Sequence, residues 1–514
     1  MILRVPSHTV GSGTNKQFGQ NVMTRRLRLV IIASIICVVL TVAISLNGTV
    51  SLTNVAEFGT CEFLLGLVAF RWWYQPLYRT VYDYCSPLAI VCTVGYVLGG
   101  PGNALSLAYD NQMITFNPGA FEYFQWPMVS AVAGMLFFDV AYRTASRALC
   151  ERPMHYPFLD ERIADRESPV VTALLWVLVA TAVNLYLGTK YSLFSQGSVD
   201  GSEVDNVLFQ SRFALLMIAW AAASSVVAGA RTSYGRMAAS LLLVVLLPNL
   251  VRFLSRQYVE RALVCTLFSI LLIRRTSHVR MRTLLIFGAV GMTFFVFITS
   301  VRSALMNGDM SIEDLETSMA RTMFSSRSDL SSSASFLKDH HQNRLSGLEL
   351  PAAIERSHAT SGASWMYGYH NWLMVARSVP RFIWPGKPST DPEVAITSHF
   401  GLQDADQLTV PFGSGYADGG VLGVAIGFAL MGVSLCAIQH FVWNLKSAAL
   451  IYTGSTVLLQ NFEQYIAEYP LSWIRCLAVV LLLDAIIRPL AGAFNRNRRR
   501  RSPPALAHTA VHSE

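Results

Sequence analysis

Apolar runs of about 20 residues, long enough to cross a bilayer as a helix, recur along the chain from Leu29 to Leu490. They fall near 29–46, 51–70, 84–103, 124–142, 169–188, 211–230, 237–253, 257–273, 283–300, 416–438, 447–461 and 470–489. The pattern predicts an all-α, polytopic integral membrane protein of about 12 transmembrane helices. Glu57 and Glu62 interrupt the second run. The seventh and eighth are short and separated only by Arg252–Arg256, and losing that pair would leave ten spans of the same parity.

The runs divide the chain into a cytoplasmic segment 1–28, a membrane region 29–300 with nine spans, a large extracytoplasmic loop 301–412, a membrane region 413–490 with three spans, and a basic tail 491–514. The 112-residue loop is expected to be partly helical. Ser311 reads as an N-cap, followed by Ile312, Leu315, Met319 and Met323 at helical spacing. Ser325–Ser335 reads as loop or linker, and Tyr369–Ala376 as a second helix that ends before Pro380. Turns are expected at Pro385-Gly386-Lys387-Pro388 and at Asp391-Pro392. The polar ends, 1–24 and 502–514, have the composition of disordered segments.

Composition agrees with the pattern. Of 514 residues, 53% are hydrophobic and 14% charged, against about 25% charged in soluble domains. The mean hydropathy of +0.40 excludes a soluble enzyme. A net charge of +8 does not point to nucleic acid, because its placement follows the membrane. With both termini inside, 25 of the 40 Lys and Arg fall on cytoplasmic segments and five on short outer loops. Nine lie in the long outer loop, and Arg475 lies in a span. The first apolar run follows Arg25, Arg26 and Arg28 without a convincing cleavage site, so it is expected to stay as a span. The eight cysteines form no CxxC and sit almost wholly in apolar segments, which argues against zinc or a disulfide framework.

The chain carries no GxxxxGK[ST] and no HExxH. Gly413-Ser414-Gly415 has the wrong spacing for a dinucleotide loop, and Asp404-Ala405-Asp406 reads as a solvated acidic turn. Asp139, Arg475 and Asp484 lie within spans, where ionisable groups are costly. Asp139 is close enough to the cytoplasmic end to reach water, and Arg475 and Asp484 suit interhelical ion pairs. The densest chemistry is in the outer loop. Its nine basic residues face twelve acids, but Arg377–Pro388 packs Arg377, Arg381 and Lys387 with Phe382, Trp384 and three prolines, and no acid. Guanidinium forks match phosphate oxygens and aromatic faces stack on sugars, so this stretch suits a rigid anion site above the membrane. An interfacial anchor on lipid headgroups is the plain alternative. Arg302, at the mouth of the ninth span, suits a phosphate at bilayer level or simple snorkelling. His370 is a candidate general base or an ordinary polar residue.

These residues fall in a recognisable order: Val301-Arg302-Ser303, Ser326-Arg327-Ser328-Asp329, Tyr369, Val379-Pro380-Arg381-Phe382-Ile383-Trp384-Pro385-Gly386-Lys387-Pro388, Phe400-Gly401, Thr409, then Gly415-Tyr416-Ala417-Asp418-Gly419-Gly420-Val421-Leu422-Gly423. Over 300–430 the chain resembles the Wzy class of O-antigen and exopolysaccharide repeat-unit polymerases. It departs from the family where Tyr416-Ala417-Asp418-Gly419-Gly420 stands in place of a Glu-containing pattern. The resemblance implies a glycosyltransferase of the bacterial inner membrane that needs no cofactor or metal. It would join undecaprenyl-pyrophosphate-linked oligosaccharide units on the outer face. Arg302, Arg377, Arg381 and Lys387 would then offset the pyrophosphate charge. His370 or Asp418 would act as base, and Tyr369 and Trp384 would contact glycan. Membrane lipid, a flippase and a chain-length regulator would be partners, and nucleic acid would not. An O-antigen ligase is the alternative within the same chemistry. A flippase or transporter is the alternative outside it, and the polar weight of the outer loop speaks against that one.

Overall fold

A computed structural model describes residues 52–74, 121–149, 169–190, 203–229, 233–251, 348–379, 383–388, 390, 392–402, 411–443, 481–487 and 489–493, with Val39, Ala262, Leu263, Thr266, Ala289 and Ala478. The described chain contains helices and turns and no strand. Its elements are α1 (Leu52–Tyr74), a 3-10 turn (Phe121–Phe124), α2 (Gln125–Leu149), α3 (Pro169–Lys190), α4 (Glu203–Gly229), α5 (Ser233–Val251), α6 (Glu349–Ser361), α7 (Tyr369–Ser378), α8 (Pro392–His399) and α9 (Pro411–Trp443). Among the described residues, three stretches are long and apolar enough to cross a membrane: Glu122–Leu149, Val170–Gly188 and Phe412–Ile438. The runs at 84–103 and 447–461, and the expected helix 311–323, lie outside the described residues. Those at 29–46, 257–273, 283–300 and 470–489 are described only in part, and helical where they are.

The outward faces of these helices are as apolar as the inward ones. On α2, Trp126, Val129, Leu136, Phe137 and Val140 are exposed, and on α9 Leu422, Ile426, Leu430 and Val433 form an exposed stripe at helical spacing. A helix apolar all round is a buried or membrane helix, and here the second apolar face is exposed.

The chain forms two compact units that cut across the linear division expected from the runs. One joins Met1–Ala148, Ala334–Cys436 and Asn461–Pro470, and the other joins Leu149–Ser333, Ala437–Gln460 and Leu471–Glu514. In the first, α1 and α2 are tied at both ends. Gln125 Nε2 donates to Glu57 Oε2 at 2.8 Å, and Arg71 meets Asp139 Oδ2 at 2.7 Å. Fourteen residues separate the two partners on each helix, so α1 and α2 run parallel and in register. The tie also explains how a run carrying Glu57 holds together as the continuous helix Leu52–Tyr74.

α9 packs parallel to α2 through two glycines. A Cβ on Gly134 would lie 2.8 Å from Val424 Cγ1, and one on Gly432 would lie 2.9 Å from the Phe138 carbonyl oxygen. Small residues let helix backbones approach where packing, not water, drives association. The Phe138 and Phe428 rings meet edge to face between the two glycine contacts.

Asp139 does not reach water, contrary to the sequence expectation. Its side chain is 1% exposed and is held by Arg71 from α1 and by Arg143 Nε, one turn along α2, at 2.7 Å. A buried carboxylate is tolerable only with such partners. Asp484 is likewise buried, while Arg475 lies outside the described residues.

In the second unit, Ala173, Trp176, Val177 and Ala180 of α3 pack with Leu215–Ala219, Ala222 and Val226 of α4, Ala239 and Leu246 of α5, and Ile487. Two of its polar side chains pair within it: Trp220 Nε1 donates to Thr266 Oγ1 at 2.8 Å, and Thr266 Oγ1 donates to the Ala262 carbonyl.

Candidate functional site

α6 and the loop before α7 gather at the N-terminal ends of α2 and α9. α6 packs on the 3-10 turn that leads into α2, and its Leu350 lies over Gly413 at the start of α9. Neither α6 nor α8 was expected from the sequence pattern. Pro392, read as part of a turn, instead begins α8, since proline at the first helical position removes an N–H that would be unpaired anyway. α7 extends from Tyr369 to Ser378 and stops before Pro380, as the sequence predicts.

The centre of the site is a break in α9. Gly419 is extended (φ −177, ψ 33), and Gly420 takes φ 59, ψ −140, a region open essentially to glycine. The Trp365 indole closes over it, 3.2 Å from where a Gly420 Cβ would sit. A break leaves helix carbonyls that must find other donors. The loop before α7 supplies them. Met366 N donates to the Ala417 carbonyl at 3.0 Å, and Tyr367 N to the Asp418 carbonyl at 2.9 Å. The chain then turns through two left-handed residues, Tyr367 (φ 51) and Gly368 (φ 86).

Gly368, the N-cap of α7, has no side chain to cap with. Asp418 performs that function from α9. His370 N donates to Asp418 Oδ1 at 3.2 Å and Asn371 N to Oδ2 at 3.3 Å, and the Asn371 side-chain amide also donates to Oδ2. A carboxylate at a helix N-terminus answers both the unpaired amides and the helix dipole. Asp418 is therefore an anchor for α7.

α7 buries His370, Leu373, Met374 and Ala376, and exposes Tyr369, Trp372 and Val375. His370 is 0% exposed. Its ring lies inside the protein, on the buried face of α7. On the exposed face, Tyr369 stacks on Trp372 (centroids 5.9 Å, planes at 20°), and Trp384 meets Trp372 edge to face at 6.0 Å. Lys387 closes the turn that carries Trp384. Its backbone N–H donates to the Trp384 carbonyl at 3.3 Å, and its Nζ donates to the Val379 carbonyl at 2.6 Å, just past the end of α7. Part of the Lys387 charge is thus spent on holding the turn.

A second cluster lies on the other side of Trp365. Trp365 stands edge-on to Tyr416 (5.5 Å, 86°) and stacks on His358 (4.4 Å, 28°). Tyr416 Oη donates to Glu355 Oε2 at 2.5 Å.

No family model, curated protein or solved structure matches this chain.

Of the sequence candidates, the structure brings together Tyr369, His370, Trp384, Lys387 and Asp418. Arg302 and Arg381 lie outside the described residues, as do Asp404-Ala405-Asp406 and the Arg252, Arg256 and Arg261 group, and Arg377 falls on the last turn of α7. Trp372, Asn371, Trp365 and Glu355 were not singled out from the sequence. Trp372 was recoverable, because it follows Tyr369 by three residues on a predicted helix. Glu355 carried no such signal, since its partner is 61 residues away. Among the described residues, no group of three or more His, Cys, Asp or Glu side chains is placed to hold a metal ion.

Proposed function

We propose that this chain is a membrane glycosyltransferase that joins undecaprenyl-pyrophosphate-linked oligosaccharide units into a surface polysaccharide, on the outer face of a bacterial inner membrane, with both termini in the cytoplasm. One observation carries the reading beyond the motif resemblance. Tyr369, Trp372 and Trp384 form a contiguous exposed aromatic surface at the mouth of a parallel helix cluster, beside the turn held by Lys387. The C–H faces of sugars stack on such rings while their hydroxyls stay in water. The basic residues Arg377, Arg381 and Lys387 belong to the same stretch and suit a pyrophosphate leaving group.

The test is the polysaccharide ladder from cells lacking the gene, complemented with wild type or with Arg381→Ala. The reading expects single-repeat product in the deletion, a ladder with wild type, and single repeats with the variant at equal protein level. Complete loss of glycan on its acceptor would favour a ligase. An unchanged ladder in the deletion would overturn the reading.

A further inference from the structure

Resting on that reading, the transfer needs a base, because a sugar hydroxyl attacks slowly while it keeps its proton. Neither sequence candidate is well placed. The His370 ring is inside the protein, and the Asp418 carboxylate holds the first turn of α7, which protonation would loosen.

Glu355 is placed differently. It sits on α6, half-buried. Among the described residues, its hydrogen-bond donor is Tyr416, which engages Oε2. Tyr416 is itself buried, and its phenol fixes the rotamer of the carboxylate. Trp365 and His358 complete the wall around Tyr416. From Trp365 the chain runs through Met366 and Tyr367, both bonded to the break in α9, to Tyr369 and Trp372 of the aromatic surface. The carboxylate and the stacking surface are thereby tied to the same break. Such preorganisation is what a base needs to act on a bound hydroxyl.

We infer that Glu355 is the general base of the transfer and that Tyr416 positions it. The acceptor oxygen bonds to the anomeric carbon as the bond from that carbon to the pyrophosphate oxygen breaks. The electron pair leaves with undecaprenyl pyrophosphate, and the hydroxyl proton passes to Glu355.

A merely structural Glu355–Tyr416 tie makes different predictions. Glu355→Gln keeps an oxygen that accepts from Tyr416 and loses only basicity, whereas Tyr416→Phe loses the tie and keeps the carboxylate. The assay uses membranes carrying the full-length chain, with undecaprenyl-pyrophosphate-linked repeat units extracted from the deletion strain as probe. At equal folded protein, Glu355→Gln is expected to lower the maximal rate about 100-fold or more with half-saturation unchanged, and Tyr416→Phe to lower it about tenfold or less. Glu355→Asp should fall between wild type and Glu355→Gln.

A Glu355→Gln rate within about threefold of wild type, well below what a lost general base costs, overturns the inference. So does a Tyr416→Phe loss as large as that of Glu355→Gln. If Glu355→Gln does not fold, Glu355→Asp decides: a wild-type rate per folded molecule overturns the inference, and a drop of about tenfold or more supports it. Failure of the wild type to extend the probe overturns the polymerase reading itself. An extending wild type with an active Glu355→Gln overturns only the assignment of Glu355.

Discussion

Asp418 and Gly420 show how two adjacent demands can shape a few residues. Gly420 turns the chain out of the helix at φ 59, and the freed carbonyls and the Asp418 side chain then bind the segment 366–371. Asp418→Ala leaves the first turn of α7 uncapped and is expected to cost about 1–3 kcal/mol. Hydrogen exchange should show faster exchange across Tyr369–Ser378, with Asp418→Asn milder because its oxygen still accepts. Gly420→Ala adds a Cβ against Trp365 in a conformation that L-residues avoid, and should lower stability by about 1–3 kcal/mol. Its melting temperature should fall and its Trp fluorescence should change. An unaltered melt would remove the break from the account of the site.

Among the elements, α7 was largely legible before the structure was known. Its end follows from Pro380, and its faces follow from period 3.6: His370, Leu373 and Met374 point one way, Tyr369, Trp372 and Val375 the other. Read with that period, His370 falls on the apolar face, which is why it is buried. Trp372 is 45% exposed, so Trp372→Ala should leave the amount of folded protein unchanged while shortening the polysaccharide ladder. A normal ladder would separate the aromatic surface from glycan binding. The α1–α2 pair rests on a different device. Asp139→Ala leaves Arg143 and Arg71 without their carboxylate, and breaking a buried ion pair from one side costs about 3–5 kcal/mol. Size-exclusion profiles in detergent should show loss of the monodisperse protein, and wild-type behaviour would count against that tie.

For the whole molecule, the parallel run of α1, α2 and α9 bears on topology. Arg71, Arg143 and Arg147 lie towards the C-terminal ends of α1 and α2, and α6 sits at the N-terminal ends of α2 and α9. Parallel neighbours that both cross a membrane need a return crossing between them, and were α1 to cross beside α2, the run at 84–103 would be the sequence's candidate for it. The arrangement predicts that Ile383→Cys, on an exposed turn, reacts with a membrane-impermeant thiol reagent in intact cells. Arg147→Cys should react only after permeabilisation. Labelling in the reverse order would invert the topology.

The sequence by itself determined the helical class and the apolar stretches long enough to cross a membrane, because hydropathy and helical period are local properties summed along the chain. Only the tertiary structure decided what each acid holds. Asp418 and Glu355 are both carboxylates near apolar neighbours, and nothing local tells them apart. What separates them is a helix N-terminus 48 residues away for one and a tyrosine 61 residues away for the other. Contacts between residues so far apart along the chain exist only once the helices have packed.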